Sequence, residues 1–447
     1  SYTAAVPRLP YRILPFALFL LAGCFGDDRK AEAQLCVPAG QAPAPGGAQP
    51  GDAQQATAGL ATGASASGER ASATQAAHHG HEGHEHRGAG RELVRCVPSD
   101  GPLTQRSLEE LQDRALAAEA RGDAERMLAC ADEALRLAED DAVAAHLRAE
   151  ALLHLRRIDE AVDAFTLALA LAPHDPWLLA GAADLWANEL PMRRDRTLTA
   201  LAWAERGLAF APPDDAELLV RLHLLAAWAQ ADLGNFRESL VHAGVALNLR
   251  PGDRDARVVR GRALYELTRF EEAVRTLEQA VADAPDDAEA HHLLGLALER
   301  IEGRLEDAER HLARATALDP EGFPPPVEVD DAEIAALVTA ALGQLPERER
   351  GLLERTRVPV RVAPLPSVAD LRAVDPPLSP TAVGMFRGPP LGVTDVEPRE
   401  ILLFARNLRR AARNHEELGE QVRITLLHEL GHLAGEGEAD LRARGLE

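Results

Sequence analysis

The chain has 447 residues, of which 46% are hydrophobic and 4% aromatic, and its formal net charge is −23. That length suits two or three domains, and the apolar share is enough for a sizeable core. A chain this acidic lacks the basic surface that phosphate-backbone binding needs, so no nucleic-acid partner is expected.

At the amino end, Arg8 and Arg12 come before the apolar run ILPFALFLLAG, which stops at Cys24. A basic flank and a short apolar run have the layout of an export signal. The run is too short to cross a bilayer comfortably. Leu21-Ala22-Gly23-Cys24 resembles the bacterial lipobox. The resemblance implies cleavage before Cys24, lipidation of Cys24, and an exported, extracytoplasmic protein anchored to a membrane.

Residues 25–104 are rich in Ala, Gly, Gln, Ser and Pro. They hold too little apolar surface to offset chain entropy and are expected to form a disordered tether. Within them HHGHEGHEH places His78, His79, His81, His84 and His86 close together. Imidazole is a common metal ligand, and weak, poorly selective metal binding is the expectation for this tract. Cys36 and Cys96 flank the stretch, and in an exported protein they are the expected disulfide. Cys130 falls on a predicted helix, as a small core residue.

From 105 to 320 the pattern is helical and periodic. In the unit that starts at Arg254, small residues stand at Gly261, Ala273 and Ala280, and Pro285 follows. The pattern returns with Gly295, Ala308, Ala315 and Pro320, and earlier with Ser239, Ala246 and Pro251, and with Ala161, Ala168 and Pro173. Small residues let two helices of a pair approach, and proline closes the second helix. A single pair cannot bury its apolar face, so several must stack. The array resembles the tetratricopeptide repeat family, with about six units. That resemblance implies a groove that binds a protein or peptide. Wider spacing between some units predicts longer loops around 174–180 and 213–219. His223, His291 and His292 are expected on the surface or in the groove.

EGFPPPVEV, residues 321–329, marks a boundary, because its prolines stop a helical array. Residues 330–447 then read as a small α/β domain. DAEIAALVTAALGQLP has helical spacing. VPVRV alternates like a strand. EILLFARNL is a strand running into a helix, and HEELGEQVRITLLHELGHLAG is the last long helix.

That helix carries His428-Glu429-Leu430-Gly431-His432. Residues four apart share a helix face, so His428 and His432 can present two imidazoles to one Zn2+. Glu429, turned about 100° from His428, reaches a zinc-polarised water as general base. Gly435 can turn the chain back, and the carboxylates Glu436, Glu438 and Asp440 follow it as candidates for a third ligand. Residues 330–447 resemble the minimal zincin-like metallopeptidases of bacteria, through VPVRV, GMFRG, EILLFARNL and QVRITLLHELGHLAGEGEADLRARG. The resemblance implies His428, His432 and Glu438 as zinc ligands and Glu429 as base. Glu436, where an apolar residue is common, leaves Glu436 and Asp440 as substitutes for the third ligand. The expected whole is mainly α: a tetratricopeptide-type α-solenoid followed by a small α/β zincin-like domain. It reads as a zinc peptidase joined to a protein-binding array and acting on a peptide substrate. The alternative reading is a scaffold lipoprotein whose zincin-like domain is structural or catalytically weak.

Overall fold

A computed structural model of the chain describes Cys96, residues 105–393 and residues 398–446. Cys24, Cys36 and the histidines from His78 to His86 lie outside the described residues.

The first part is a tetratricopeptide-type α-solenoid. It pairs α1 (Gln105–Glu119) with α2 (Ala124–Leu137), α3 (Ala142–His154) with α4 (Ile158–Leu171), and α5 (Pro176–Asp184) with α6 (Arg194–Phe210). It continues with α7 (Ala216–Asp232) and α8 (Phe236–Leu249), α9 (Arg254–Glu266) and α10 (Phe270–Asp283), and α11 (Ala288–Leu298) and α12 (Leu305–Leu318). An aspartate a few residues after the closing proline restarts the chain as a helix. Asp253 accepts a hydrogen bond from the Ala256 amide, and Asp287 accepts one from Ala290. Each such cap is worth about 1 kcal/mol. The small residues work as their spacing predicts. A Cβ at Gly261 would lie 2.5 Å from Cγ of Leu277, so α9 and α10 touch only because that position has no side chain.

Three expectations fail here. The extra residues between units do not make longer loops. They lengthen α6 and α7 to 17 residues each and add a π-helical turn, Leu185–Glu189, after α5. Extending a helix satisfies the added main-chain groups internally, whereas a loop would leave them to solvent. Cys96 is bonded to Cys130, not to Cys36. Cys130 is fully buried in α2, so it is both a core residue and a disulfide partner. His291 also departs from the expected surface or groove position. It is buried, with its Nδ1 2.8 Å from Nδ1 of His311.

The C-terminal part opens with α13 (Asp331–Gly343) and α14 (Glu347–Thr356). Its sheet has β1 (Val360–Ala363), β2 (Gly384–Arg387) and β3 (Glu400–Phe404), with α15 (Val368–Leu371) between β1 and β2. The strand order is β1-β3-β2, with β1 parallel and β2 antiparallel to the central β3. Then follow α16 (Ala405–Ala411), α17 (His415–Ala434) and α18 (Glu438–Ala443). Leu418, Val422, Leu426 and Leu433 of α17 pack with Ile401 and Leu403 of β3 and Ile334 of α13 in one core. That core fixes α17 against the sheet.

The segment between β1 and β2 is tied to the repeats. Leu371 is fully buried in the repeat core. Arg372 donates to Oγ1 and to the main-chain oxygen of Thr268, at 2.8 and 2.7 Å. Arg300 donates to the Pro366 carbonyl at 2.7 Å. Arg410 grips both oxygens of Glu299, at 2.7 and 2.6 Å, and the Glu299 side chain is 1% exposed. Bidentate pairing of this kind fixes orientation as well as distance.

Candidate metal centre

α17 is built to start and stop sharply. Asn414 caps it by accepting from the Glu417 amide at 2.9 Å. At its end Gly435 takes φ of +88°, a left-handed angle that suits glycine, and the chain reverses. α18 then folds back on α17 at Gly431. A Cβ there would lie 2.3 Å from Cδ2 of Leu441, so the motif's glycine is needed for this contact.

The reversal brings three side chains together. The Nε2 atoms of His428 and His432 are 2.9 Å apart. Glu438, the first residue of α18, places one carboxylate oxygen 3.3 Å from Nε2 of His432 and the other 3.9 Å from Nε2 of His428. One ligand atom from each of His428, His432 and Glu438 lies within 4.8 Å of the others, and among the described residues this is the group of three or more such side chains found.

The outer nitrogens of the two rings are committed. Nδ1 of His428 lies 2.7 Å from the Leu446 carbonyl, and Nδ1 of His432 lies 3.2 Å from the Glu436 carbonyl. A carbonyl only accepts, so each Nδ1 carries the proton. The two Nε2 atoms then face one another and Glu438, and a contact of 2.9 Å between them needs a shared proton or a cation. Backbone carbonyls that fix the tautomer are the usual outer support of metal-binding histidines. Two imidazoles, one carboxylate and this tautomer choice fit a zinc site that leaves its fourth position for water.

The other candidate carboxylates point elsewhere. Glu436 pairs with Arg348 at 2.7 Å and with Arg444, which also holds Glu349. Burial works against the Glu436 charge, but Arg444 and Arg348 outweigh it and hold the carboxyl below its ordinary range. Asp440 accepts from the Gly437 amide at 3.2 Å and caps α18. Neither approaches the two Nε2 atoms as Glu438 does.

Glu429 is 2% exposed, and its Oε1 has no hydrogen-bond partner among the described residues. Burial pushes its carboxyl up to about 7, against the pull of His432 and a hydrogen bond from the main chain of Phe386. For His432, burial favours the neutral ring. The Glu438 hydrogen bond, the charges of Glu429 and Glu438 and the Glu436 carbonyl prevail and raise it. Leu426, Leu427, Leu430 and Leu433 are buried around the motif and keep its base dry.

Sequence reasoning did not find the Leu446 carbonyl, because a main-chain oxygen leaves no mark in residue type. Nor did it find the arginines that draw Glu436 away. Arg348 and Arg444 are a signal only once α14 and α18 are known to be neighbours of the motif.

Comparison with known protein families agrees with both parts. Residues 355–446 match the family model described as zincin-like metallopeptidase, and residues 258–323 match that described as tetratricopeptide repeat. No curated protein matches the chain. Among solved structures, it is similar to PilW, described as a widely conserved type IV pilus biogenesis factor. That similarity has 18% identity, covers 49% of this chain and 98% of the other, and gives a TM-score of 0.41. It is similar to YrrB, described as a TPR protein with an unusual peptide-binding site, at 18% identity over 43% of this chain and 93% of the other, with a TM-score of 0.35. A thermophilic TPR protein of Thermus thermophilus shows 18% identity over 43% of this chain and 99% of the other, with a TM-score of 0.33.

Proposed function

We propose that this chain is a zinc-dependent peptidase, exported and anchored through a lipidated Cys24, whose repeats bring it a protein or peptide. The observation that carries the reading is the convergence of Nε2 of His428 and Nε2 of His432, 2.9 Å apart, with the Glu438 carboxylate. His428, His432 and Glu438 would hold the zinc. When bound, zinc supplies Lewis-acid chemistry that acidifies a water and polarises a peptide carbonyl. Glu429, buried next to the His428 and His432 motif positions, would accept a proton from the water and return it to the leaving amine. Its bare Oε1 is the atom for that transfer. The leucines around α17 exclude bulk water from the base of the site.

The reading is tested by metal analysis of the purified full chain and by incubating the zinc-loaded protein with a mixed peptide library. One zinc per chain and discrete cleavage products are expected. Absence of zinc, or zinc with intact peptides, counts against it. The anchor has its own test, metabolic labelling with a radioactive lipid precursor. Label should enter the wild type and be absent from Cys24→Ala.

A further inference from the structure

Gly384 is the first residue of β2, and its neighbour across the interface is α17. A Cβ built on Gly384 would lie 2.4 Å from Cγ2 of Thr425 and 3.1 Å from Oε1 of Glu429. Gly384 does not have a left-handed φ. Its lack of a side chain is therefore required by space and not by backbone angle. Thr425 and Glu429 are four apart on α17 and share the face that meets β2.

The surroundings decide what would yield to an added methyl. Thr425 is 1% exposed, and its Oγ1 donates to the Gln421 carbonyl at 2.7 Å, which locks the rotamer and holds Cγ2 toward β2. β2 is held on its other side by the β3 ladder, with Gly384 opposite Leu403 and Phe386 opposite Ile401. The Phe404 amide also ties the adjoining Val383 carbonyl at 2.9 Å. Glu429 has no such restraint on Oε1. Oε1 is the part of Glu429 that meets the new Cβ, and yielding to it would shift a carboxylate otherwise held by the Phe386 main chain near His432.

We infer that Gly384 is a positioning residue for Glu429: its missing side chain lets β2 lie against α17 and seats the carboxylate at the His428–His432–Glu438 cluster. The inference rests on the peptidase reading above and deepens it. The zinc ligands project from α17 and α18 and do not touch Gly384, so the site should fill with metal whether or not Glu429 is seated.

The test uses the full chain as wild type, Gly384→Ala, Thr425→Ser and the double variant. Zinc content, zinc affinity by competition with a chromogenic chelator, and kcat and KM on a cleaved peptide are measured for each. Gly384→Ala should keep wild-type zinc content and affinity and keep KM, while kcat falls on the order of a hundredfold. Thr425→Ser removes the methyl nearest the new Cβ and keeps the hydroxyl bond, so the double variant should regain most of kcat. Unchanged kcat in Gly384→Ala overturns the inference. So does a loss of zinc that parallels the loss of kcat, or a loss of kcat that Thr425→Ser does not relieve. If Gly384→Ala alone does not fold, the double variant decides. Folded and active, it supports the inference; folded, zinc-loaded and inactive, it overturns it. A wild type that holds zinc and cleaves nothing defeats the peptidase reading itself, and the positioning role falls with it.

Discussion

His428 donates its Nδ1 proton to the main-chain oxygen of Leu446 at 2.7 Å, across a sequence separation of 18. Leu446 is buried, and its own amide bonds back to Leu441, so the carbonyl is held in place by the turn that follows α18. The segment after Glu438 therefore does more than close the domain. It sets the tautomer of a candidate ligand. A chain shortened to end at Ala443 should bind zinc roughly 10- to 100-fold more weakly, the usual cost of losing an outer-shell partner. Chelator competition measures this, and unchanged affinity would mean that the carbonyl is incidental.

The three carboxylates after Gly435 separate by single substitutions. Glu438→Gln should lose most zinc affinity. Glu436→Gln should retain it and cost up to about 1 kcal/mol through its ion pairs with Arg348 and Arg444. Asp440→Asn should retain zinc as well. Isothermal titration with zinc on each variant gives the ranking. Retention by Glu438→Gln with loss in Glu436→Gln would reverse the assignment.

Glu299 and Arg410 lie 111 residues apart and join the repeats to the C-terminal domain. Because Glu299 is 1% exposed, Glu299→Gln leaves the arginine side of the pair poorly compensated and should cost about 3 kcal/mol. Urea denaturation measures the loss, and hydrogen exchange should rise around 366–380. A cost below about 1 kcal/mol would place this pair with ordinary surface ion pairs.

Acid should loosen the same interface. Burial, aided by the nearby Arg410, pushes the His292 imidazole down to about 3. His292 also stacks on Phe323, with ring centroids 4.6 Å apart. The unfolded chain takes up this proton near pH 6.5, and the folded chain resists it until about 3. The stability from this group is thus complete above about pH 6.5 and is lost as pH falls from there toward about 3. Denaturation midpoints taken at intervals through this window should drop less steeply for His292→Gln than for the wild type. Parallel curves would remove His292 from the account.

Much of this architecture was legible because the residues that build it are local and repeated. Gly261 meets Leu277 within one helix pair, and the spacing of small residues already implies such a contact. His428 and His432 share a face of α17 for the same local reason, and Gly435 turns the chain as a glycine after a helix should. Contacts between distant segments left no comparable trace. Cys130 looked like any small core residue until its disulfide with Cys96 was seen. The segment around Leu371 and Arg372 carries no periodic pattern, yet it is seated in the repeat core and on Thr268. Choosing among Glu436, Glu438 and Asp440 needed the positions of Arg348 and Arg444, which spacing along the chain does not supply.

The most direct test of the central claim compares wild type with Glu429→Gln, both loaded with zinc, on the same peptide. Glutamine keeps the shape of the side chain but cannot accept the proton, and His428, His432 and Glu438 are untouched. The account predicts equal zinc content in the two proteins, cleavage by the wild type, and loss of kcat by several orders of magnitude in the variant. Equal cleavage by both proteins at equal zinc content would contradict it.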